Sequence, residues 1–259
     1  MLKSKDYRLV GVLGGMGPLA TVDFMTKVIE STPASCDQDH IPLIVSCIPQ
    51  IPDRTQAYKG EGASPLSELI ANAKRLVDAD AQVIAIACNT AHLWFEQLEK
   101  AVPIPIIHIV DSAIEAIYKI GSSRPVVGLL ATEATISSGL YVDRGNSILR
   151  AQCKELAWLL PSPKEISEWV MPAITSIKEG NLKVGHALLI KAANALKDRG
   201  ATAIIMGCTE IPLVLRSSDI DVPLVDPTQS LASKVVEWST QQDVNLIQPR
   251  PRSIDSTSR

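Results

Sequence analysis

The chain has 259 residues, 46% of them hydrophobic but only 4% aromatic, so its core must be mostly Ile, Leu, Val and Ala, as in α/β proteins. A formal net charge of -3 argues against a nucleic-acid partner. No run approaches the roughly 18 apolar residues of a membrane span, and no signal-type apolar core follows the polar start Met1–Asp6. Five cysteines, an odd count without close spacing, do not read as a disulfide scaffold, so the expectation is a cytoplasmic protein with reduced thiols.

In chain order, Arg8–Leu13 reads as a short apolar strand, followed by the turn Gly14-Gly15-Met16-Gly17-Pro18 and a helix from about Thr21 to Glu30. Ile41–Cys47 is the next strand, and Pro49-Gln50-Ile51-Pro52-Asp53-Arg54-Thr55 opens a long loop. Ser64 and Pro65 supply an N-cap and a first helical residue for a helix to about Val77. The buried strand Val83–Ala87 stops at Cys88. A helix over Ala91–Lys100 follows, then a strand at Ile106–Ile109 and a helix near Ser112–Ile120. Strand Val126–Leu130 leads into Ala131-Thr132-Glu133-Ala134-Thr135, and Ser162-Pro163 starts a helix that Pro172 should kink. Helix Lys183–Arg199 is stopped by Gly200. Strands Ala203–Met206 and Val222–Val225 and a helix near Thr228–Ser239 follow. The polar tail from Gln242 is expected to be disordered.

Strands alternating with helices at this rhythm predict parallel sheets covered on both faces. The order also repeats. Val10-Gly11-Val12-Leu13 resembles Val127-Gly128-Leu129-Leu130, Asp78 to Cys88 resembles Asp198 to Cys208, and Ile104-Pro105-Ile106-Ile107 resembles Val222-Pro223-Leu224-Val225. The three spacings are nearly equal, which implies a duplicated α/β half. Ligands in such sheets sit beyond the carboxyl ends of the strands, where both Cys88 and Cys208 fall.

Cysteine is often a small buried hydrophobe, and Cys36, Cys47 and Cys153 fit that reading. Cys88 and Cys208 differ, because each follows a strand and precedes polar helix-opening residues; a thiol at a helix N-terminus has a lowered pKa. One such thiolate could be a nucleophile. Two symmetric ones suit the removal of a proton from one face of a carbon and its return to the other, which inverts a stereocentre.

Gly14-Gly15-Met16-Gly17-Pro18-Leu19-Ala20-Thr21, Pro49 to Thr55, Cys88-Asn89-Thr90-Ala91-His92, Gly128-Leu129-Leu130-Ala131-Thr132 and Gly207-Cys208-Thr209-Glu210 together resemble the aspartate racemase family, within the cofactor-independent aspartate/glutamate racemase superfamily. The resemblance runs collinearly from about residue 8 to residue 240. It implies two similar parallel-sheet domains related by a pseudo-twofold axis, with the site in the cleft between them, no cofactor and usually a homodimer. The domains would be 1–105 plus 217–243 and 106–216, with a disordered tail at 244–259, the C-terminal strand and helix returning to the first domain. By position it makes Cys88 and Cys208 the catalytic pair. Arg54 would face a substrate carboxylate, as a guanidinium grips one with two hydrogen bonds, and Lys178 matches the family's lysine. Met16, Gln50, Asn89, Thr90, Thr132, Thr209 and Glu210 would line the substrate pocket. Ala134 stands where the family usually has glycine, and Pro172 lies close before Lys178.

Other signals are weaker. Gly15-x-Gly17-x-x-Ala20 loosely matches a dinucleotide fingerprint, but the second strand ends in Cys47-Ile48-Pro49 with no acidic residue for a ribose. Cys88, His92 and Cys208 could suggest zinc, yet a fourth ligand has no source, and His92 reads better as orienting the turn after Cys88. His40, His108 and His186 read as structural or exposed. The expected activity is interconversion of L- and D-aspartate, with glutamate as a further candidate substrate. The rivals are other two-thiol enzymes (maleate isomerase, arylmalonate decarboxylase, hydantoin racemase), a non-catalytic amino-acid-binding protein, and a thiol-dependent hydrolase.

Overall fold

A computed structural model describes residues 7–121, 125–152 and 154–241. The first half runs β1 (Val10–Gly14), α1 (Pro18–Ser31), β2 (Leu43–Cys47), α2 (Arg54–Lys59), α3 (Leu66–Asp78), β3 (Val83–Ile86), α4 (Phe95–Ala101), β4 (Ile106–Ile107) and α5 (Ile109–Lys119). The second runs β5 (Val126–Ala131), α6 (Glu133–Ser137), α7 (Leu140–Ala151), β6 (Ala157–Leu159), α8 (Pro163–Glu165), α9 (Met171–Lys178), α10 (Leu182–Asp198), β7 (Ala203–Gly207), β8 (Leu224–Val225) and α11 (Pro227–Thr240). All strand pairs are parallel, in two four-stranded sheets of the same order, β2-β1-β3-β4 and β6-β5-β7-β8. The expected α/β fold of two matching parallel sheets is present.

Strand alternation explains the layering. Val10, Val12, Val83 and Ala85 of the first sheet and Val127, Leu129, Ala203 and Ile205 of the second point into one shared core with α5 and α11. The intervening residues face outward under helical cover: Leu13, Ile84 and Ile86 meet α3, while Leu130, Ile204 and Met206 meet α9 and α10. Both faces are buried, hence near-continuous apolar strands.

Several expectations are corrected. Ile106–Ile107, placed in the second domain, is the edge of the first sheet beside β3. Leu224–Val225, expected to return to the first domain, pairs with β7 in the second. In each case a strand pairs with the strand its chain has just left. Helix α11 does return, packing on α1 and α5. The loop after Pro49 contains α2, started by Asp53, whose carboxylate accepts from the Thr55 and Gln56 amides at 2.9 Å. Helix α7 and strand β6 were not expected at all. The helix predicted over Ala91–Lys100 splits into a 3₁₀ turn, Thr90–Trp94, and α4. The Cys88 carbonyl, which an α-helix would offer to the His92 amide, is taken by the His92 ring at 2.9 Å, and the amide bonds Asn89 instead. Pro172 acts as expected: a π turn over Ile166–Val170 precedes it. Cys36 and Cys47 are exposed rather than buried, and Cys153 lies outside the described residues. The tail from residue 242, expected to be disordered, also lies outside them.

The turn after β1 is fixed by Thr21, fully buried, whose hydroxyl accepts from the Gly15 amide at 2.8 Å and donates to the Gly17 carbonyl at 2.9 Å. Gly15 has φ +92, and a Cβ there would lie 2.4 Å from the Ile48 backbone nitrogen, whereas Gly60 (φ +75) has open space around it. Gly15→Ala is therefore expected to lower stability in urea unfolding by about 2 kcal/mol or more, from strain plus clash. Gly60→Ala should lose clearly less; equal losses would show that the Ile48 contact is unimportant.

Candidate active site

The carboxyl ends of β1, β3, β5 and β7 converge on one small cavity. It is lined from the first half by Met16, Asp53, Arg54, Thr55, Cys88, Asn89 and Thr90, and from the second by Thr132, Lys178, Cys208, Thr209 and Glu210. Ten of the eleven residues expected at a site are therefore brought together. Gln50 is the exception: it is exposed, because the turn into α2 directs Arg54 inward instead. Ala134 is fully buried inside α6 and does not reach the cavity, so it does not narrow it.

Arg54 is 8% exposed. Its Nη1 donates to the carbonyls of Ile51 (3.0 Å) and Pro52 (2.9 Å), and its Nη2 to that of Met16 (3.5 Å). Three carbonyls thus hold the guanidinium in place while its Nε has no partner in the protein. Asn89, 1% exposed, has its Oδ1 bonded by the Tyr141 hydroxyl and its Nδ2 unpartnered. Two buried donors without acceptors, on side chains lining a cavity with a cation, are what an anionic ligand requires. Lys178, at the end of α9 and 40% exposed, lies 3.9 Å from Asp53. Burial pulls its ammonium pKa down, but Glu210, Cys208 and Asp53 together raise it above the ordinary value, so it stays charged.

Cys208 donates its S–H to Glu210 Oε2 at 2.9 Å, and the Thr209 hydroxyl reaches the same oxygen at 3.3 Å. Glu210 Oε1 accepts from the Gly17 amide of the other half at 3.2 Å. Burial, and next the Glu210 charge, push the Cys208 thiol well above its usual pKa, against a smaller opposing pull from Lys178. For Cys208 this corrects the expectation of a lowered pKa. Cys88 and Cys208 precede 3₁₀ turns of five and three residues, not α-helices with a developed dipole. The Thr90, Thr132 and Thr135 hydroxyls form a triangle with 3.0 Å sides, a further link between the halves. Lys59 and Glu133 pair across the cleft, at 2.5 Å.

His92 orients the turn after Cys88, as expected. Its Nε2 accepts from the Ile109 amide at 3.2 Å, so the proton sits on Nδ1 and is donated to the Cys88 carbonyl. Neither nitrogen is left for a metal. Burial lowers its pKa to about 4. His108, packed at 4.5 Å against it, is also shifted down by burial, and its Nδ1 accepts from the Val110 amide, so its approach to Asp111 is not an ion pair. A larger opening between α4, α5 and α11 contains Arg144 and Lys234, but both are already paired, with Asp111 and Glu115, and neither cysteine lines it. Tyr141, Thr135 and Thr21 were not singled out from the sequence.

Two four-stranded parallel sheets of one topology, with a cysteine from each half lining a shared cavity, define a duplicated α/β fold with its candidate site between the halves. A family description, Asp/Glu/Hydantoin racemase, matches residues 13–235. The chain is 28% identical over 234 residues to the broad specificity amino-acid racemase RacX of Bacillus subtilis, covering 88% of this chain and 96% of RacX. The structure superposes on Picrophilus torridus aspartate racemase with a TM-score of 0.79 and 30% identity, over 90% of this chain and 94% of that one. It also shares its fold with Francisella tularensis glutamate racemase in complex with D-glutamate, at TM-score 0.65 and 20% identity, over 90% of this chain and 81% of that one. The chain belongs to the Asp/Glu/hydantoin racemase family, and it is a racemase of that family. Among the described residues, no helix is long and apolar enough to cross a membrane.

Two predictions follow from these charges. Glu210→Gln removes the anion that raises the Cys208 pKa, so Cys208 alkylation by iodoacetamide should begin at lower pH than in the wild type; an unchanged profile would remove Glu210 from the account. His92 binds a proton in the unfolded chain below about pH 6.5 but in the folded one only near pH 4. Between these values the unfolded state holds more protons, so stability falls as pH drops, by about 3 kcal/mol over the window. Urea unfolding against pH should show that slope, and His92→Gln should flatten it.

Proposed function

We propose that the protein interconverts L- and D-aspartate, with glutamate as a further substrate, by proton transfer between Cys88 and Cys208 without a cofactor. The observation that carries this reading is the pair of thiols, one from each sheet, lining a single cavity that also contains a clamped arginine. The free Arg54 Nε and Asn89 Nδ2, with Lys178, suit a dicarboxylic substrate. Aspartate is favoured by the likeness to the Picrophilus torridus aspartate racemase. A broader amino-acid range is the second reading, favoured by the likeness to RacX. We further infer two units, one around each sheet, in a homodimer acting in the cytoplasm.

In this scheme Cys208, which donates its S–H to Glu210 and whose pKa is pushed up, is the proton donor in one direction, with Cys88 as the base. Its thiolate takes the α-proton, and the carbanion takes the proton of Cys208 from the opposite face. Cys88 ends as the thiol and Cys208 as the thiolate, which is the starting state for the reverse direction. The α-proton of an amino-acid carboxylate is very weakly acidic, so fixed donors must hold the carboxylate as charge develops on it, and a dry site must keep the thiolate reactive.

Incubation of L-aspartate with purified protein and no added cofactor should give equal amounts of both enantiomers by chiral chromatography, with solvent deuterium at the α-carbon. Cys88→Ala and Cys208→Ala, made separately, should each lose at least about 1,000-fold in rate. Either variant retaining wild-type racemisation rejects the two-base scheme, while inactivity on aspartate with turnover of glutamate, a neutral amino acid, a hydantoin or maleate reassigns the substrate.

A further inference from the structure

We propose that Tyr141 is a positioning residue of the cleft: by donating its hydroxyl to Asn89 Oδ1 it fixes the amide with the Nδ2 end toward the substrate carboxylates. This rests on the reading of the cavity as an amino-acid site.

Tyr141 lies in the first turn of α7, which Gly139 begins at φ +70. It is fully buried, and its ring meets Trp158 edge-on at 6.5 Å between centroids. One turn later Gly145 leaves the space that Trp158 fills: a Cβ there would come within 2.8 Å of the indole. The ring is therefore held by packing, and its hydroxyl crosses from the second half to Asn89 in the first, 52 positions earlier.

An asparagine amide presents a donor at one end and an acceptor at the other, and with nothing to distinguish them it can turn over. Here the ends are distinguished. Nδ2 is buried without a partner, and Asn89 lines the cavity. Turning the amide over would leave the Tyr141 O–H without the acceptor it has and would put Oδ1 toward an anionic ligand. A buried donor left unsatisfied costs about 1–3 kcal/mol, so both effects favour the observed orientation. Burial also pushes the Tyr141 phenol well above its usual pKa, so the hydroxyl remains a donor throughout the working range. Asn89 Nδ2 and Arg54 Nε are then two fixed, unpaired donors on side chains that line the same cavity.

The test is a double-mutant cycle of Tyr141→Phe and Asn89→Ala, with Phe removing one oxygen and keeping the ring. It is read both as kcat/KM for L-aspartate racemisation and as the L-aspartate dissociation constant by calorimetry. Tyr141→Phe should lower kcat/KM about tenfold, mostly through KM, as expected for loss of one hydrogen bond's worth of orientation. Asn89→Ala should lower it at least as far, and the double variant should equal Asn89→Ala alone. A double variant worse by the full Tyr141→Phe factor overturns the proposal, because the tyrosine then acts elsewhere, for instance on stability. Wild-type behaviour of either single variant overturns it too. Wild-type protein that binds aspartate but does not invert it sinks the racemase reading while the binding cycle still decides the role of Tyr141; absence of both binding and turnover overturns both.

Discussion

Glu210 places a carboxylate at 3% exposure between the two halves of the molecule, and a buried charge must be met by donors or lose its ionisation. It is met from both sides. The Gly17 amide comes from the turn after β1, and the Cys208 thiol and Thr209 hydroxyl from the turn after β7. One side chain thus ties the halves together, sets the protonation of a site cysteine and supplies the leading attraction that keeps Lys178 charged. The glycine turn, its Thr21 brace and the tight approach of Gly15 to Ile48 make sense as what delivers the Gly17 amide to that carboxylate.

Around Glu210 the cleft is joined by further polar links of different strength. The threonine triangle and the Tyr141–Asn89 bond are buried, so each broken partner there is costly. The Lys59–Glu133 and Lys178–Asp53 pairs sit at the exposed rim, where screening makes ion pairs weak. An anionic ligand of the kind proposed could compete for Lys178 at little cost, but it would have to fit an interior whose polar groups are already arranged. The cavity is accordingly soft at its rim and stiff in its interior.

Much of this was legible in the sequence because it rests on local signals. Short apolar runs marked out seven of the eight strands, and the repeated order of Val10–Leu13, Asp78–Cys88 and Ile104–Ile107 marked the duplication. Strand β6 escaped because no proline stands immediately before it as Pro105 and Pro223 do near β4 and β8, and α7 because Gly145, Asp143, Arg144 and Asn146 break its apolar stripe. Helix α2 is six residues long, too short for periodicity to register. The two cysteines stood out by position, but their electrostatics did not: whether an α-helix or a 3₁₀ turn follows depends on the His92 ring capturing a carbonyl, and the Cys208 shift depends on a carboxylate two residues away being folded back onto it. Arg54 and Lys178 gained a role only from the family resemblance. Tyr141 could not have been read at all, since its one polar contact spans the two halves.

If the two thiols racemise the substrate as proposed, their asymmetry has to be reconciled with a symmetric reaction. Enantiomers have equal free energy in water, so kcat/KM must be the same in both directions, whatever the pKa of each cysteine. Glu210 therefore cannot favour one product. What it can do is set which protonation state the free enzyme occupies, and so how much of the barrier in each direction lies in binding and how much in proton transfer. In the proposed scheme the state with the proton on Cys208 is ready for the enantiomer whose hydrogen faces Cys88. The other enantiomer needs that proton to move first, onto Cys88 or through solvent. A carboxylate next to the thiol, itself held by a backbone amide and near a lysine, is a suitable relay for that exchange. In the proposed scheme the bond that makes the two thiols unequal thus also offers Cys208 a partner for exchanging its proton.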